Sequence, residues 1–312
     1  MRRTTLTSSL LAVFAGATLF AGIAFAQDIT GTDHLDRIGG TQDADTIDAK
    51  AGPDLVRARG GNDTVLLGAG RDIAWLGDGD DTARGGDKAD WIIGGPGNDN
   101  VEGDQGADKL FGNAGNDHIE GFKGADFIAG NAGDDILRGD IPGNGIGGRD
   151  RVFGGAGNDI VIGGDSRDRL HGGPGSDSID GGNGRDFISG GTEDDTIHGG
   201  GGNDRIFANQ GQDELFGDDG NDQLWALSRH DVTSSPDNAG DTLHGGAGND
   251  TFHVRDGEQD IVDCGDGNDT VLADFADVVD TSCEKVLRKA PRSRDDQGEN
   301  NTQSPGEDRK EH

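Results

Sequence analysis

The chain has 312 residues, only 30% of them hydrophobic, and a formal net charge of −33 at pH 7. A charge of this sign and size argues against binding to nucleic acid or to anionic membrane surfaces, and it favours cations as partners. Low hydrophobicity with high net charge is typical of disordered chains, and 59 glycines with no tyrosine put a conventional core out of reach.

The first residues have the pattern of a secretory signal peptide. Arg2 and Arg3 form a positive start, an apolar run extends from Leu10 to Ala26, and residues 24–26 read Ala-Phe-Ala, a typical cleavage pattern. The alternative is a membrane anchor, but a span needs about 20 strongly apolar residues, and this run is short and rich in Ala and Gly. We therefore predict that residues 1–26 are a signal peptide and that the mature protein is secreted, without a membrane span.

From Asp36 onward an aspartate recurs every nine residues, and the register survives two interruptions. It runs unbroken to Asp135, resumes from Asp150 to Asp222, and returns at Asp241. With aspartate numbered as position six, position four is glycine in most units and position eight is apolar. The position-eight residues include Val101, Leu110, Ile119, Ile128, Leu137, Val161, Leu170, Ile179, Ile188, Ile197, Ile206, Leu215, Leu224 and Phe252. Neither chance nor disorder keeps such a register, so the chain is built of repeats.

This period predicts an all-β solenoid. Three residues with one inward apolar side chain make a very short strand, and the six glycine-rich residues make a tight turn, since glycine permits positive φ and close backbone approach. One strand and one turn are half a coil, so two nonapeptides complete a coil of eighteen residues. Stacked coils then form two parallel sheets around a thin core, and stability comes from stacking neighbours.

The aspartates in the turns predict a metal. Stacking places Asp99 over Asp117 and Asp108 over Asp126, and such carboxylates repel one another unless a cation lies between them. The turns also leave carbonyl oxygens unpaired, and calcium takes six to eight oxygen ligands in flexible geometry. Magnesium demands a stricter octahedron, and zinc prefers Cys or His, which do not repeat here.

At this point the sequence resembles the RTX, or haemolysin-type, calcium-binding repeat family, over roughly Asp36 to Asp269. The pattern G-G-x-G-x-D-x-U-x is matched by GGPGNDNVE at Gly94, GGAGNDIVI at Gly154, GGPGSDSID at Gly172, GGNGRDFIS at Gly181 and GGAGNDTFH at Gly245. The resemblance implies a right-handed parallel β-roll of glycine- and aspartate-rich nonapeptides, with several calcium ions held between turns on both edges.

The metal ligands that this resemblance implies are the position-six aspartates of the well-formed units. They are Asp99, Asp108, Asp117, Asp126, Asp135, Asp159, Asp177, Asp186, Asp204, Asp213, Asp222 and Asp250. The alternative for each is an ordinary Asx-turn, common for Asp near Gly.

Some units depart from the pattern, because position four is Lys88, Ser166 or Glu193 instead of glycine. A non-glycine residue adopts positive φ less readily, and a lysine amine disfavours calcium, which puts Asp90 in doubt. The units from Asp36 to Asp81 have poorer turns, so we expect that end to be metal-poor and to serve as a cap.

We divide the mature chain into a β-roll at 27–284 and a flexible charged tail at 285–312. Two insertions, near 139–148 and 226–240, are interpreted as surface loops that are tolerated at little cost. Cys264 and Cys283 are predicted to form a disulfide, as is usual in an exported chain, and it would pin a C-terminal cap. Phe207, Phe216 and Trp225 occupy position nine of three consecutive units and could form an exposed aromatic stripe, with Phe207 and Trp225 on one face and Phe216 on the opposite one. The alternative is that Trp225 packs under the insertion that follows it.

The sequence favours calcium binding without catalysis. It contains neither H-E-x-x-H nor G-x-S-x-G, and the repeats leave no room for a catalytic domain. The leading hypothesis is therefore a secreted protein whose roll folds on binding calcium. Two alternatives stay open: a calcium-dependent adhesin or matrix protein that contacts an extracellular glycan or a cell surface, and a glycan-modifying enzyme built on the roll.

Overall fold

The computed structural model describes residues 26–141, 147–226 and 240–290. Within these ranges all regular structure is β-strand, arranged in two parallel sheets of 18 and 14 strands. No helix in the described part of the chain is long and apolar enough to cross a membrane. The predicted signal peptide lies outside the described residues, apart from Ala26.

The first sheet takes one set of alternate half-coils. Its strands are β1 (Asp28–Thr30), β3 (Thr46–Asp48), β5 (Thr64–Ala69), β7 (Thr82–Asp87), β9 (Asn100–Gln105), β11 (His118–Glu120), β13 (Ile136–Arg138), β15 (Ile160–Asp165), β17 (Ser178–Gly184), β19 (Thr196–His198), β20 (Gly201–Gly202), β22 (Glu214–Phe216), β23 (Asp219–Gly220), β25 (Thr242–His244), β26 (Ala247–Gly248), β28 (Ile261–Asp263), β29 (Asp266–Gly267) and β31 (Val278–Val279).

The second sheet takes the intervening half-coils. Its strands are β2 (Arg37–Gly39), β4 (Leu55–Gly60), β6 (Ile73–Asp78), β8 (Trp91–Pro96), β10 (Lys109–Ala114), β12 (Phe127–Ala132), β14 (Arg151–Ala156), β16 (Arg169–Pro174), β18 (Phe187–Thr192), β21 (Arg205–Gln210), β24 (Gln223–Trp225), β27 (Thr251–Val254), β30 (Thr270–Ala273) and β32 (Lys285–Arg288).

The strand register shows that two nonapeptides make one coil. Leu110 pairs with Ile92 on one side and Ile128 on the other, each eighteen residues away. Across the first insertion the register lengthens, so that Ile128 pairs with Val152. The predicted parallel β-solenoid is therefore confirmed, and the insertion leaves position eight aligned with position eight.

Most strands are longer than the three residues predicted from the sequence. The strand β8 covers six residues, Trp91–Pro96, which are positions seven to nine of one unit and one to three of the next. The N–H of Gly79 donates to the carbonyl of Pro96, so hydrogen bonds between coils continue through position three. The turn proper shrinks to positions four to six, because positions two and three also pair between coils, as Gly95 and Pro96 do with Asn113 and Ala114.

The core is the predicted line of position-eight side chains. All fourteen of those named from the sequence are at most 2% exposed. Ala74 and Ala83 occupy the same position and are also fully buried. The aspartates at position six are buried beside this line, which brings acidic groups and apolar groups into one narrow interior.

The C-terminal end of the roll lies later than the sequence predicts. Lys285–Arg288 forms β32, and Val286 pairs with Val271 of β30, so the boundary at 284 is corrected to a point after Arg288. These four residues are all solvent-exposed, but their backbone completes the last coil. Residues 291–312, the rest of the predicted tail, lie outside the described residues, as do 142–146 and 227–239 of the two insertions.

Cys264 and Cys283 are joined by a disulfide in the structure, with Cα atoms 5.2 Å apart. Cys264 is fully buried and belongs to the core, whereas Cys283 packs against it from a turn. The bond therefore ties the last turn before β32 to the interior of the roll.

Candidate metal centre

The position-six aspartates form two ladders, one along each edge of the roll. The backbone N–H of Asp99 donates to Oδ1 of Asp117 at 2.8 Å, and that of Asp117 donates to Oδ1 of Asp135 at 2.7 Å. On the other edge the N–H of Asp108 donates to Oδ1 of Asp126 at 2.7 Å. Each aspartate thus uses one carboxylate oxygen to hold the coil before it.

The insertions do not break the ladders. The N–H of Asp126 donates to Asp150, and that of Asp222 donates to Asp250, each at 2.8 Å. One ladder contains Asp54, Asp72, Asp90, Asp108, Asp126, Asp150, Asp168, Asp186, Asp204, Asp222, Asp250 and Asp269. The other contains Asp45, Asp63, Asp81, Asp99, Asp117, Asp135, Asp159, Asp177, Asp195, Asp213, Asp241 and Asp260.

The second carboxylate oxygen, Oδ2, is the atom that points to a metal. Among the described residues, eleven of the twelve predicted ligands bury this oxygen without a hydrogen-bond donor: Asp99, Asp108, Asp117, Asp126, Asp135, Asp159, Asp177, Asp186, Asp204, Asp222 and Asp250. The twelfth, Asp213, keeps its place in the ladder. Burying an ionised group without a partner costs several kcal/mol, so a row of such oxygens requires protons or cations.

Backbone carbonyls border the same space. A Cβ added to Gly94 at position one would lie 2.2 Å from Oδ2 of Asp99 and 2.8 Å from the carbonyl oxygen of Gly112 in the next coil. The same arrangement recurs at Gly172, beside Asp177. In these units position one must therefore be small, because a side chain there would occupy the volume between a carboxylate and a carbonyl that both face inward.

Electrostatics leads to the same conclusion. The pKa of Asp117 is raised to about 7, mainly by burial and also by the negative charges of Asp135 and Asp99, against the lowering effect of the N–H of Asp99. Burial likewise raises the pKa of Asp186 to about 8. Neighbouring carboxylates and a dry environment both disfavour the ionised form, and a divalent cation would reverse that preference.

The ladder also includes aspartates that the sequence left out. Lys88, Ser166 and Glu193 at position four adopt φ of 75°, 90° and 78°, the left-handed conformation that glycine takes elsewhere. Asp90 accepts the N–H of Asp72 at 2.8 Å, as a regular ladder member does. The departures at position four therefore leave the ladder geometry intact, although a left-handed non-glycine residue costs about 1–2 kcal/mol.

Regular ladder geometry also reaches the end that was expected to be metal-poor. Asp54, Asp63, Asp72 and Asp81 bury Oδ2 in the same way, again without a donor in the described structure. The nine-residue register already contained this signal, since it counts these aspartates with the others. Position one of these units is Ala49, Ala58, Leu67 or Leu76 instead of glycine, and each of these side chains is fully buried, so the metal-poor N-terminal end stays a prediction.

Carboxylate and carbonyl oxygens are the polar atoms nearest to these spaces. In the ranges that the structure describes, no three His, Cys, Asp or Glu side chains converge on one point, because each coil supplies one position-six carboxylate and backbone carbonyls supply the rest. Such a donor set suits calcium, which accepts carboxylates and carbonyls in variable numbers, better than zinc or strictly octahedral magnesium. The residues therefore fit a series of calcium ions between successive coils.

Comparison with protein families agrees with this geometry. The model of the RTX calcium-binding nonapeptide repeat matches residues 39–74, 75–110, 102–137, 144–179, 162–197, 180–215, 189–224 and 237–271. The chain belongs to the RTX calcium-binding repeat family. Its repeats bind Ca²⁺ between turns, and the matched segments span more than half of this RTX chain and include all twelve predicted ligands. A comparison with curated proteins finds no match.

At the C-terminal end the RTX ladder is closed by another acid. The N–H of Asp269 donates to Oε2 of Glu284 at 2.9 Å, in the place that an aspartate of the next coil would fill. Glu284 directly follows Cys283, so the disulfide positions the residue that ends the ladder.

Proposed function

We propose that this protein is an exported, non-catalytic RTX protein whose roll folds when calcium binds along its edges. The observation that carries the proposal is the double row of buried Oδ2 atoms without donors in the described structure. With every carboxylate ionised, the folded chain would hold uncompensated charge in its interior. Calcium removes this charge only in the folded state, so its binding energy becomes folding energy.

Calcium concentration would decide where the protein folds. Extracellular calcium modules bind with dissociation constants of about 10⁻⁴ to 10⁻³ M, so the roll would stay unfolded inside the cell and fold outside. The support for export is the sequence pattern of residues 1–26, with its two arginines, apolar run and Ala-Phe-Ala site.

The absence of catalysis is supported by the burial of the acids. The twelve predicted ligands are at most 3% exposed, and a general acid or nucleophile must reach its substrate. The ladder carboxylates are engaged with backbone N–H groups and face the interior of the roll. A glycan-modifying activity would therefore need other residues.

Circular dichroism of the purified full chain tests the proposal directly. We expect a weak β-sheet signal in chelator, and a large gain when calcium is raised to millimolar concentrations. Magnesium at the same concentration is the control, and we expect it to be much less effective. Equal β-sheet signals in chelator and in calcium at neutral pH would refute the proposal.

A second candidate is a calcium-dependent adhesin, favoured by aromatic stacking on the outer face of the second sheet. Phe207 stacks on Trp225 with ring centroids 4.4 Å apart, and Trp225 stacks on His253 at 4.6 Å. Phe207 is only 6% exposed, so the available surface lies at Trp225 and His253. Glycan binding that needs calcium and is lost in Trp225→Ala would support this candidate, whereas binding that persists in that variant would remove the stack from consideration.

A further inference from the structure

The insertion near 139–148 places an extra acid inside the metal edge. Asp140 stands at position two of its unit and is only 2% exposed. Two other position-two acids point outwards: the side chain of Asp104 is 29% exposed and pairs with Arg84, and that of Asp218 is 39% exposed and pairs with His198. Both of these acids present their side chains to solvent, and Asp140 does not.

The backbone explains why Asp140 turns inwards. Asp104 and Asp218 have φ of 69° and 67°, the left-handed conformation that carries the ordinary chain from position two into the turn. Asp140, which lies at the start of the insertion, is not among the left-handed residues of the described structure. Its N–H donates to the carbonyl of Gly163 at 3.0 Å, which keeps it aligned with the next coil.

One oxygen of Asp140 has a structural task. Oδ2 accepts the N–H of Gly148 at 2.8 Å, so this atom closes the insertion onto its own beginning. The other oxygen, Oδ1, is buried and has no donor within the described structure. In Asp140, as in the ladder aspartates, one carboxylate oxygen accepts a backbone N–H and the other has no donor in the described structure.

Oδ1 of Asp140 belongs to a carboxyl group that has other carboxyl groups as neighbours. The carboxyl groups of Asp140 and Asp150 lie side by side, and the charges of Asp168 and Asp126 also act on Asp140. A Cβ added to Gly139 would lie 2.4 Å from Oδ2 of Asp150 and 2.6 Å from the carbonyl oxygen of Gly163. An ordinary ladder step offers the carboxylates of two adjacent coils, and here the carboxyl group of Asp140 lies beside them as a third, although the three do not converge on one point in this structure.

We propose that Asp140 supplies an additional carboxylate to the calcium site between the coils of Asp150 and Asp168, and that this site binds calcium more tightly than the ordinary ladder sites. The inference rests on the calcium binding described above. Ligand charge is one of the properties that set calcium affinity in oxygen-lined sites, so a third negative ligand favours the site. The insertion then has a role, since it delivers this ligand.

Equilibrium dialysis of the full chain with radioactive calcium tests the inference. We expect wild type to bind one equivalent at least about tenfold more tightly than the remainder, a difference of about 1.4 kcal/mol, and Asp140→Asn to lose that equivalent while keeping the rest. Asparagine still offers an oxygen to the N–H of Gly148. The matched control is Asp218→Asn, which removes the same charge at position two of an uninterrupted unit and should leave the tight equivalent in place.

The outcomes separate this inference from the function itself. A tight equivalent that survives in Asp140→Asn, or that disappears equally in Asp218→Asn, overturns the role of Asp140 and leaves the calcium-binding roll untouched. A wild-type chain that binds no calcium overturns both. Should Asp140→Asn fall short of the wild-type circular dichroism at saturating calcium, Asp140→Gly replaces it, because glycine is the residue at the equivalent position of the next coil, Gly164.

Discussion

Replacing one ladder aspartate by asparagine should change stability in opposite directions with and without calcium. Asp159 is suited to the test, because its Oδ1 accepts the N–H of Asp135 at 2.8 Å and its Oδ2 has no donor in the described structure. The oxygen of asparagine can keep the first contact. Its amide would face the carbonyl of Gly172, which borders the same glycine, Gly154, as Oδ2 does.

The size of the effect follows from the pKa of Asp159. Burial, and then the charge of Asp134, raise this pKa from 3.8 to about 6, against the lowering effect of the Asp135 N–H. Two pKa units correspond to about 2–3 kcal/mol of penalty for the ionised form at neutral pH. In chelator, Asp159→Asn should therefore raise the free energy of unfolding by up to about that amount. In calcium the same substitution should lower the free energy of unfolding, since a tenfold weaker calcium site costs about 1.4 kcal/mol.

Urea unfolding followed by circular dichroism, in chelator and in saturating calcium, measures both changes. If the metal-free wild type is unfolded, trimethylamine N-oxide can stabilise it enough for comparison. Asp266→Asn is the control, because Asp266 is exposed and lies outside the ladders, and it should change little in either condition. An Asp159→Asn variant that is destabilised in chelator as well as in calcium would refute the reasoning, since it would show that the charge of the Asp159 carboxylate does not destabilise the metal-free roll.

Two further predictions follow from the same geometry. The folded pKa values of about 7 for Asp117 and about 8 for Asp186, raised mainly by burial, lie above the ordinary 3.8, so protons stabilise the metal-free roll. Its β-sheet signal in chelator should therefore be greatest below about pH 4 and should be lost as the pH rises through about 6–8. A β-sheet signal that rises with pH in chelator would contradict this prediction. Replacing both Cys264 and Cys283 by serine removes a disulfide between residues 19 apart in the sequence. The free energy of unfolding in calcium should fall by about 3 kcal/mol. A urea midpoint unchanged from wild type would show that the last coil does not need the disulfide.

The period of the sequence predicts the features that depend on side-chain identity at fixed positions. The apolar residues at position eight, such as Ile128 and Leu137, are fully buried as the register requires, and the aspartates stack at the coil spacing. Strand length was underestimated because it depends on backbone hydrogen bonds through glycines, such as Gly94 and Gly95 within β8. These residues carry no side-chain signal that distinguishes strand from turn.

The structure differs from the sequence prediction at two other places, where the surrounding chain sets the conformation of a residue. Position four needs only a left-handed backbone, and the coils above and below Lys88 hold it there despite its side chain. Asp140 stands outside the aspartate register, inside a segment that reads as a polar loop, yet it is only 2% exposed. A nonapeptide pattern can locate the regular sites, but it cannot reveal a ligand that enters from an irregular segment.

The same nonapeptide that builds the core also creates the need for the ion. Each unit buries one apolar side chain, which contributes about 1.5–3 kcal/mol, and one carboxylate. For Asp159, with a pKa of about 6, that carboxylate costs about 2–3 kcal/mol when ionised. In this unit the two effects are of similar size, so its apolar side chain adds little net stability to the metal-free roll at neutral pH. Bound calcium turns the cost of the buried carboxylate into a stabilising contribution. Because adjacent coils share ladder aspartates, a calcium ion bound at one site favours the folding of the neighbouring coil that completes the next site.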